Sequence, residues 1–106
     1  MNDPQILEAS RKLAERVMRY DSEVEARIER AFQWTTSRHP DRTEMRLLSD
    51  LFEDELARFK DDAESAHRLL SVGVQAVPPD LDPAELAALT VVVNTMFNLD
   101  EAKMRS

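Results

Sequence analysis

Cysteine is absent from this chain, which excludes disulfides, thiolate nucleophiles, Cys-based zinc sites and c-type haem attachment within it. For the same reason the redox compartment leaves no mark on it. Long apolar runs are missing as well. The longest nearly apolar stretch, Leu86 to Val93, falls far short of the roughly 20 residues a membrane-spanning helix needs, so a soluble chain without membrane insertion is expected. The opening Met1-Asn2-Asp3-Pro4 has neither a basic nor an apolar region, and no signal peptide is expected in this chain. Basic residues are in the minority: 14 Lys and Arg face 21 Asp and Glu, for a net charge of -7. Phosphate backbones need concentrated positive charge, so nucleic acid is not an expected partner. Eleven of the basic residues are Arg, which we read as compositional bias before interface use.

Glycine is also scarce, occurring once, at Gly73, while the five prolines sit at positions that begin or interrupt segments. What fills the space between them is helical periodicity with a start signal at each segment. Asn2 or Asp3 can cap a first helix with Pro4 at its first position, followed by Ile6, Ala9, Leu13, Val17 and Tyr20 at helical spacing. Ser22 and Glu25 form a capping-box pattern for a second helix with the stripe Val24, Ile28, Ala31, Phe32 and Thr35. Asp41 and Glu44 repeat that pattern before Leu47, Leu48, Leu51, Phe52, Leu56 and Phe59. Asp61 and Glu64 do so again for a short helix through Leu69 and Leu70, with Gly73 as its left-handed stop. Asp82, Pro83 and Glu85 open the last segment.

That last segment contains Val91-Val92-Val93, a β-branched run that by itself suits a strand as well as a buried helix. Length decides for helix, because no Gly or Pro interrupts Pro83 to Met104. Its apolar residues Leu86, Leu89, Val92, Val93, Met96, Phe97 and Leu99 wrap much of the circumference, as a central helix requires. The expected fold is all-α: a single irregular antiparallel bundle of about five helices over residues 1–106, built around a central C-terminal helix.

No constellation in the sequence points to catalysis. His39 and His67 are the only histidines, and neither has a second His at i+3 or i+4 to make a metal pair. Glu64-Ser65-Ala66-His67 is a Glu-x-x-His pair, but a di-iron bundle takes one from each of two helices, and Thr36 stands where the second Glu would precede His39. Asp80-Leu81-Asp82 lacks the turn glycine of a calcium loop, and Val91 occupies the position of its last Glu. The remaining clustered acids read as solvated helix faces and caps. No catalytic residue, metal or cofactor is expected.

Two features are less ordinary. Thr90, Asn94, Asn98 and Glu101 form a polar line along the apolar last helix. It is either a solvent-facing stripe or a structural polar clamp, in which Asn94 or Asn98 is buried and bonds backbone groups of the 74–82 turn. Trp34 lies about 100° around the second helix from Thr35 on the core stripe, which places it at the edge of the core or outside it. An exposed Trp34 is the best candidate for an interface anchor, since Trp is enriched at binding hot spots.

The ordered set Asn2-Asp3-Pro4, Ala14-Glu15-Arg16-Val17, Arg30-Ala31-Phe32, Arg38 and Pro40 with Glu44, Leu69-Leu70 before Gly73, Asp82-Pro83-Ala84-Glu85-Leu86-Ala87-Ala88-Leu89-Thr90 and Asn98-Leu99-Asp100-Glu101 carries a family likeness. It resembles the C-terminal part of a large planctomycete family with a domain of unknown function, often found with an upstream planctomycete cytochrome-c-type domain. The resemblance implies long, multidomain, exported parents whose haem, where present, is bound upstream by a Cys-x-x-Cys-His motif. No such motif occurs here, and no haem ligand carries over. The chain also departs from the family at its end, where Ala102-Lys103-Met104 replaces an expected aromatic after the Glu. The resulting expectation is a non-enzymatic C-terminal domain of a larger extracytoplasmic protein, in contact with the parent's other domains or a protein partner. The alternative is a free-standing helical adaptor or homodimer. A carboxylate-based hydrolase completed by other domains is the more distant one.

Overall fold

Five helices in chain order make up the computed structural model, which describes residues 3–71 and 76–105 and side chains as far as Leu99. They are α1 (Pro4–Tyr20), α2 (Val24–Thr36), α3 (Arg42–Asp61), α4 (Ala63–Leu70) and α5 (Pro83–Arg105). No strand occurs among the described residues.

The helix starts follow the chemistry of orphan amides. Asp3 caps α1, its carboxylate accepting from the Gln5 and Ile6 amides, with Pro4 at a position where no N–H is needed. Asp41 forms the full reciprocal box on α3: Asp41 Oδ1 accepts from the Glu44 amide at 2.8 Å, and Glu44 Oε1 accepts from the Asp41 amide at 3.0 Å. Asp82 caps α5, its carboxylate 3.2 Å from the Glu85 amide.

Two caps differ from expectation by one residue. The cap of α2 is Glu23, not Ser22, and no side chain bonds the helix start. The cap of α4 is Asp62, not Asp61, which is the last residue of α3. Asp62 serves both helices, since its amide bonds the Arg58 carbonyl behind it while its carboxylate accepts from the Ser65 amide and hydroxyl ahead. Those Ser65 bonds, the hydroxyl's first, hold the Asp62 carboxyl below its usual pKa. A single shared residue at a tight corner leaves no room for the separate cap that spacing suggests. Gly73 lies outside the described residues; α4 ends at Leu70 with Ser71 as its cap.

The core is organised around α5. Nine consecutive residues, Leu86 to Asn94, are all buried, which is possible only for a helix covered on every side. The three valines lose little by being helical here, because the small propensity cost of β-branching is outweighed by burial. Helix α1 runs antiparallel to α5, since Ser10 meets Asn94 and Arg19 meets Asp80. Helix α2 runs in the same direction as α5, with Arg27 beside Glu85 and Thr35 beside Met96. Ile28, Phe32, Leu48, Phe52, Phe59 and Leu70 close the same core from α2, α3 and α4.

Expected and observed faces disagree on α1. The buried set is Leu7, Ser10, Arg11, Ala14, Val17 and Met18, whereas Ala9 and Tyr20 are exposed. Leu47 and Leu99 are also exposed, although their spacing suggested core positions.

Candidate interaction surface

Tyr20 and Trp34 are the two aromatics the core does not take in, 61% and 39% exposed. They stand on neighbouring helices, at the end of α1 and late in α2, and the packing of α2 on α1 brings them together edge to face, with ring centroids 5.5 Å apart at 86°. Such a pair contributes about 0.5–1.5 kcal/mol beyond its area burial. Two guanidiniums cover the rings. Arg16, one turn before Tyr20, lies 5.0 Å from the Trp34 ring centroid. Arg30, one turn before Trp34, lies 4.8 Å from the Tyr20 centroid and 5.8 Å from that of Trp34.

The two arginines differ in what else they do. Arg30 Nε donates to Asp21 Oδ2 at 2.7 Å, and that bond raises its already high pKa. Arg16 makes no hydrogen bond or ion pair among the described residues. Its stacking uses the face of the guanidinium and leaves the in-plane N–H donors pointing away from the ring. Spacing had marked Trp34 as lying off the stripe, and the structure exposes it. Tyr20 was placed on the core stripe, and its role in the pair was missed; the signal available was the Arg16–Tyr20 and Arg30–Trp34 spacing of four on consecutive helices.

The polar line of α5 divides. Thr90 is buried and satisfies itself, its hydroxyl donating to the Leu86 carbonyl at 2.7 Å. Asn94 is buried, but it bonds none of the described turn residues, 76–82: its Nδ2 meets Ser10 Oγ at 3.4 Å on α1, and its Oδ1 accepts from Asn98 Nδ2 at 3.4 Å. Asn98 is exposed, so the clamp assigned to it is corrected too. The Glu101 side chain lies outside the described residues. Replacing Asn94 by Ala is expected to cost about 1–2 kcal/mol, from a lost buried bond and a small void, while Asn98→Ala stays within about 0.5 kcal/mol. Urea titration of both variants checks this, and equal losses would contradict the geometry.

The side chain that holds the link between α4 and α5 is Arg11. It is only 3% exposed, and its Nη1 donates to the Leu70 carbonyl at 2.7 Å while Nη2 donates to the Ala76 carbonyl at 2.9 Å. Nε faces Glu15 at 3.1 Å. Arg11 lies three residues before Ala14 and seven before Met18, in the middle of the face that the structure buries. At the far end of the link Arg19 bonds Asp80 at 2.7 Å, which holds the Asp80 carboxyl below its usual range.

Between α2 and α3 an open groove of about 570 Å³ is lined by Glu25, Glu29, Asp41, Met45 and Asp50 together with Arg42 and Arg46. His39 reaches Glu29 at 3.1 Å on the same side. Among the described residues no three His, Asp or Glu side chains are grouped so as to hold a metal ion. No described helix is long and apolar enough to cross a membrane.

Neither the curated proteins nor the solved structures compared with this chain include a match. A family model described as PSD1, protein of unknown function (DUF1553), matches residues 1–52, a span that contains Arg16, Tyr20, Arg30 and Trp34. Over residues 1–52, then, the chain is similar to that family of domains of unknown function.

Proposed function

We propose that this chain is a non-catalytic structural and interaction domain of a larger, extracytoplasmic, planctomycete-type protein, and that it contacts the parent's other domains or a protein partner through the Tyr20–Trp34 surface. The observation that carries this is the exposure of the two aromatics as a contacting pair braced by arginines, outside the core of the described residues. Exposed rings that are braced by guanidiniums keep a defined shape in the free domain, so little rotamer freedom is lost when a partner covers them. Trp, Tyr and Arg are also the residue types that dominate binding hot spots.

The test compares hydroxyl-radical oxidation of residues 1–106 alone with that of the native full-length polypeptide, read by mass spectrometry on the peptides that contain Tyr20 and Trp34. Protection of both rings in the native polypeptide, with Leu47 oxidised equally in the two samples, is the expected result. Equal oxidation of Tyr20 and Trp34 in both samples would remove the intramolecular version. If the native product is this chain alone, the same comparison between dilute and concentrated samples decides for the homodimer or against it.

A further inference from the structure

Resting on that surface assignment, we infer that Arg16 is the docking point for a carboxylate on an acidic segment of a protein partner, received beside the Trp34 ring. Three observations meet at this residue. Its guanidinium is held 5.0 Å from the Trp34 centroid, so its position is set before any partner arrives. It has no hydrogen bond or ion pair among the described residues, in contrast to Arg30, which is bonded to Asp21, and Arg19, which is bonded to Asp80. And it lies against Trp34, 39% exposed, which packs edge to face on Tyr20, 61% exposed, so apolar surface stands beside the charge.

Charge complementarity selects the occupant. A planar guanidinium whose edge donors are unspent matches a carboxylate in two parallel hydrogen bonds, and stacking on Trp does not compete with them because it uses the ring-facing side. A long polyanion is a poor fit, since the chain carries a net charge of -7 and Arg30, the other arginine against these rings, is already bonded to Asp21. A short acidic segment meets the local cation without meeting the whole field, which is screened over about 8 Å at physiological ionic strength. The apolar rims suit a Leu or aromatic side chain next to the acid.

The experiment uses the isolated chain with a synthetic peptide in which Asp and Glu flank a Leu, and follows Trp34 fluorescence and the Arg16 Nε–H resonance. The expected result is saturable binding that shifts both signals, weakens with salt, and falls about tenfold in Arg16→Gln, an amount corresponding to about 1.4 kcal/mol. Arg42→Gln, on the α2–α3 groove, is expected to leave the affinity unchanged. The same peptide with Asn and Gln in place of its acids is expected to give no response.

Equal binding of the amide peptide, or an unchanged affinity in Arg16→Gln, would overturn the carboxylate assignment. So would a response to inorganic phosphate, an oligonucleotide or anionic vesicles with none to the acidic peptide. If Arg16→Gln binds normally while Trp34→Ala does not, the surface stands and the role of Arg16 falls. Unchanged binding in both variants removes both.

Discussion

Replacing Arg11 by Met lowers the stability of the fold by about 3 kcal/mol, the scale of breaking a buried, hydrogen-bonded charge from one side. The change keeps an unbranched stem of similar length in the buried position, so the loss chiefly reports the guanidinium. Removing it takes one donor from each of the Leu70 and Ala76 carbonyls and the cation from Glu15, whose side chain is itself only 17% exposed. The melting temperature is expected to fall by roughly 12–20 °C for a domain of this size. Arg11→Lys keeps the charge but offers a single ammonium in place of a fork, so it recovers only part of the loss. The measurement is urea unfolding with the slope m compared among the variants, since an unchanged m assigns the effect to the native state. A loss in Arg11→Met below about 0.5 kcal/mol, the level of an ordinary surface substitution, would mean that the buried fork does not hold the link.

The second large effect separates two adjacent residues of one type. Leu48→Ala is expected to cost about 3 kcal/mol, since Leu48 is 3% exposed and its truncation leaves a void between α3 and α5. Leu47→Ala is expected to stay within about 0.5 kcal/mol, because Leu47 is 63% exposed and Ala is the better helix former. The same atoms are deleted at both sites, so propensity and side-chain entropy nearly cancel and the difference reports burial alone. Thermal and urea unfolding of the pair measures it. Equal losses would place both leucines in the core and contradict the exposure of Leu47.

These two cases show where sequence was sufficient and where it was not. The all-helical class and the central position of α5 were legible because they follow from local physics: uninterrupted length, apolar residues around the whole circumference, and cap residues at Asp3, Asp41 and Asp82. The buried face of α1 was displaced by about one residue for an equally physical reason. Its true face includes Ser10 and Arg11, two polar residues, and hydrophobic periodicity reads past them to Ile6, Ala9 and Tyr20. They are buried at little cost because tertiary partners satisfy them: Ser10 has the Ile6 carbonyl and Asn94, and Arg11 has the link. No partner from 59 or more residues away is visible in a local window.

The candidate surface divides in the same way. That Trp34 stands off its helix stripe is a property of the 3.6-residue turn and could be read directly. Its pairing with Tyr20 could not, because it depends on how far α1 and α2 are offset as they pack.

What the sequence determined by itself is therefore the set of helices, most of their starts and the choice of α5 as the core, since each depends on interactions among residues within a few turns. Only the tertiary structure decided which polar side chains are buried, that Arg11 rather than Asn94 or Asn98 holds the link, and that Tyr20, Trp34, Arg16 and Arg30 form one exposed cluster. Those outcomes depend on the rotation and offset of packed helices, set by the summed burial of the whole core, which no single segment encodes.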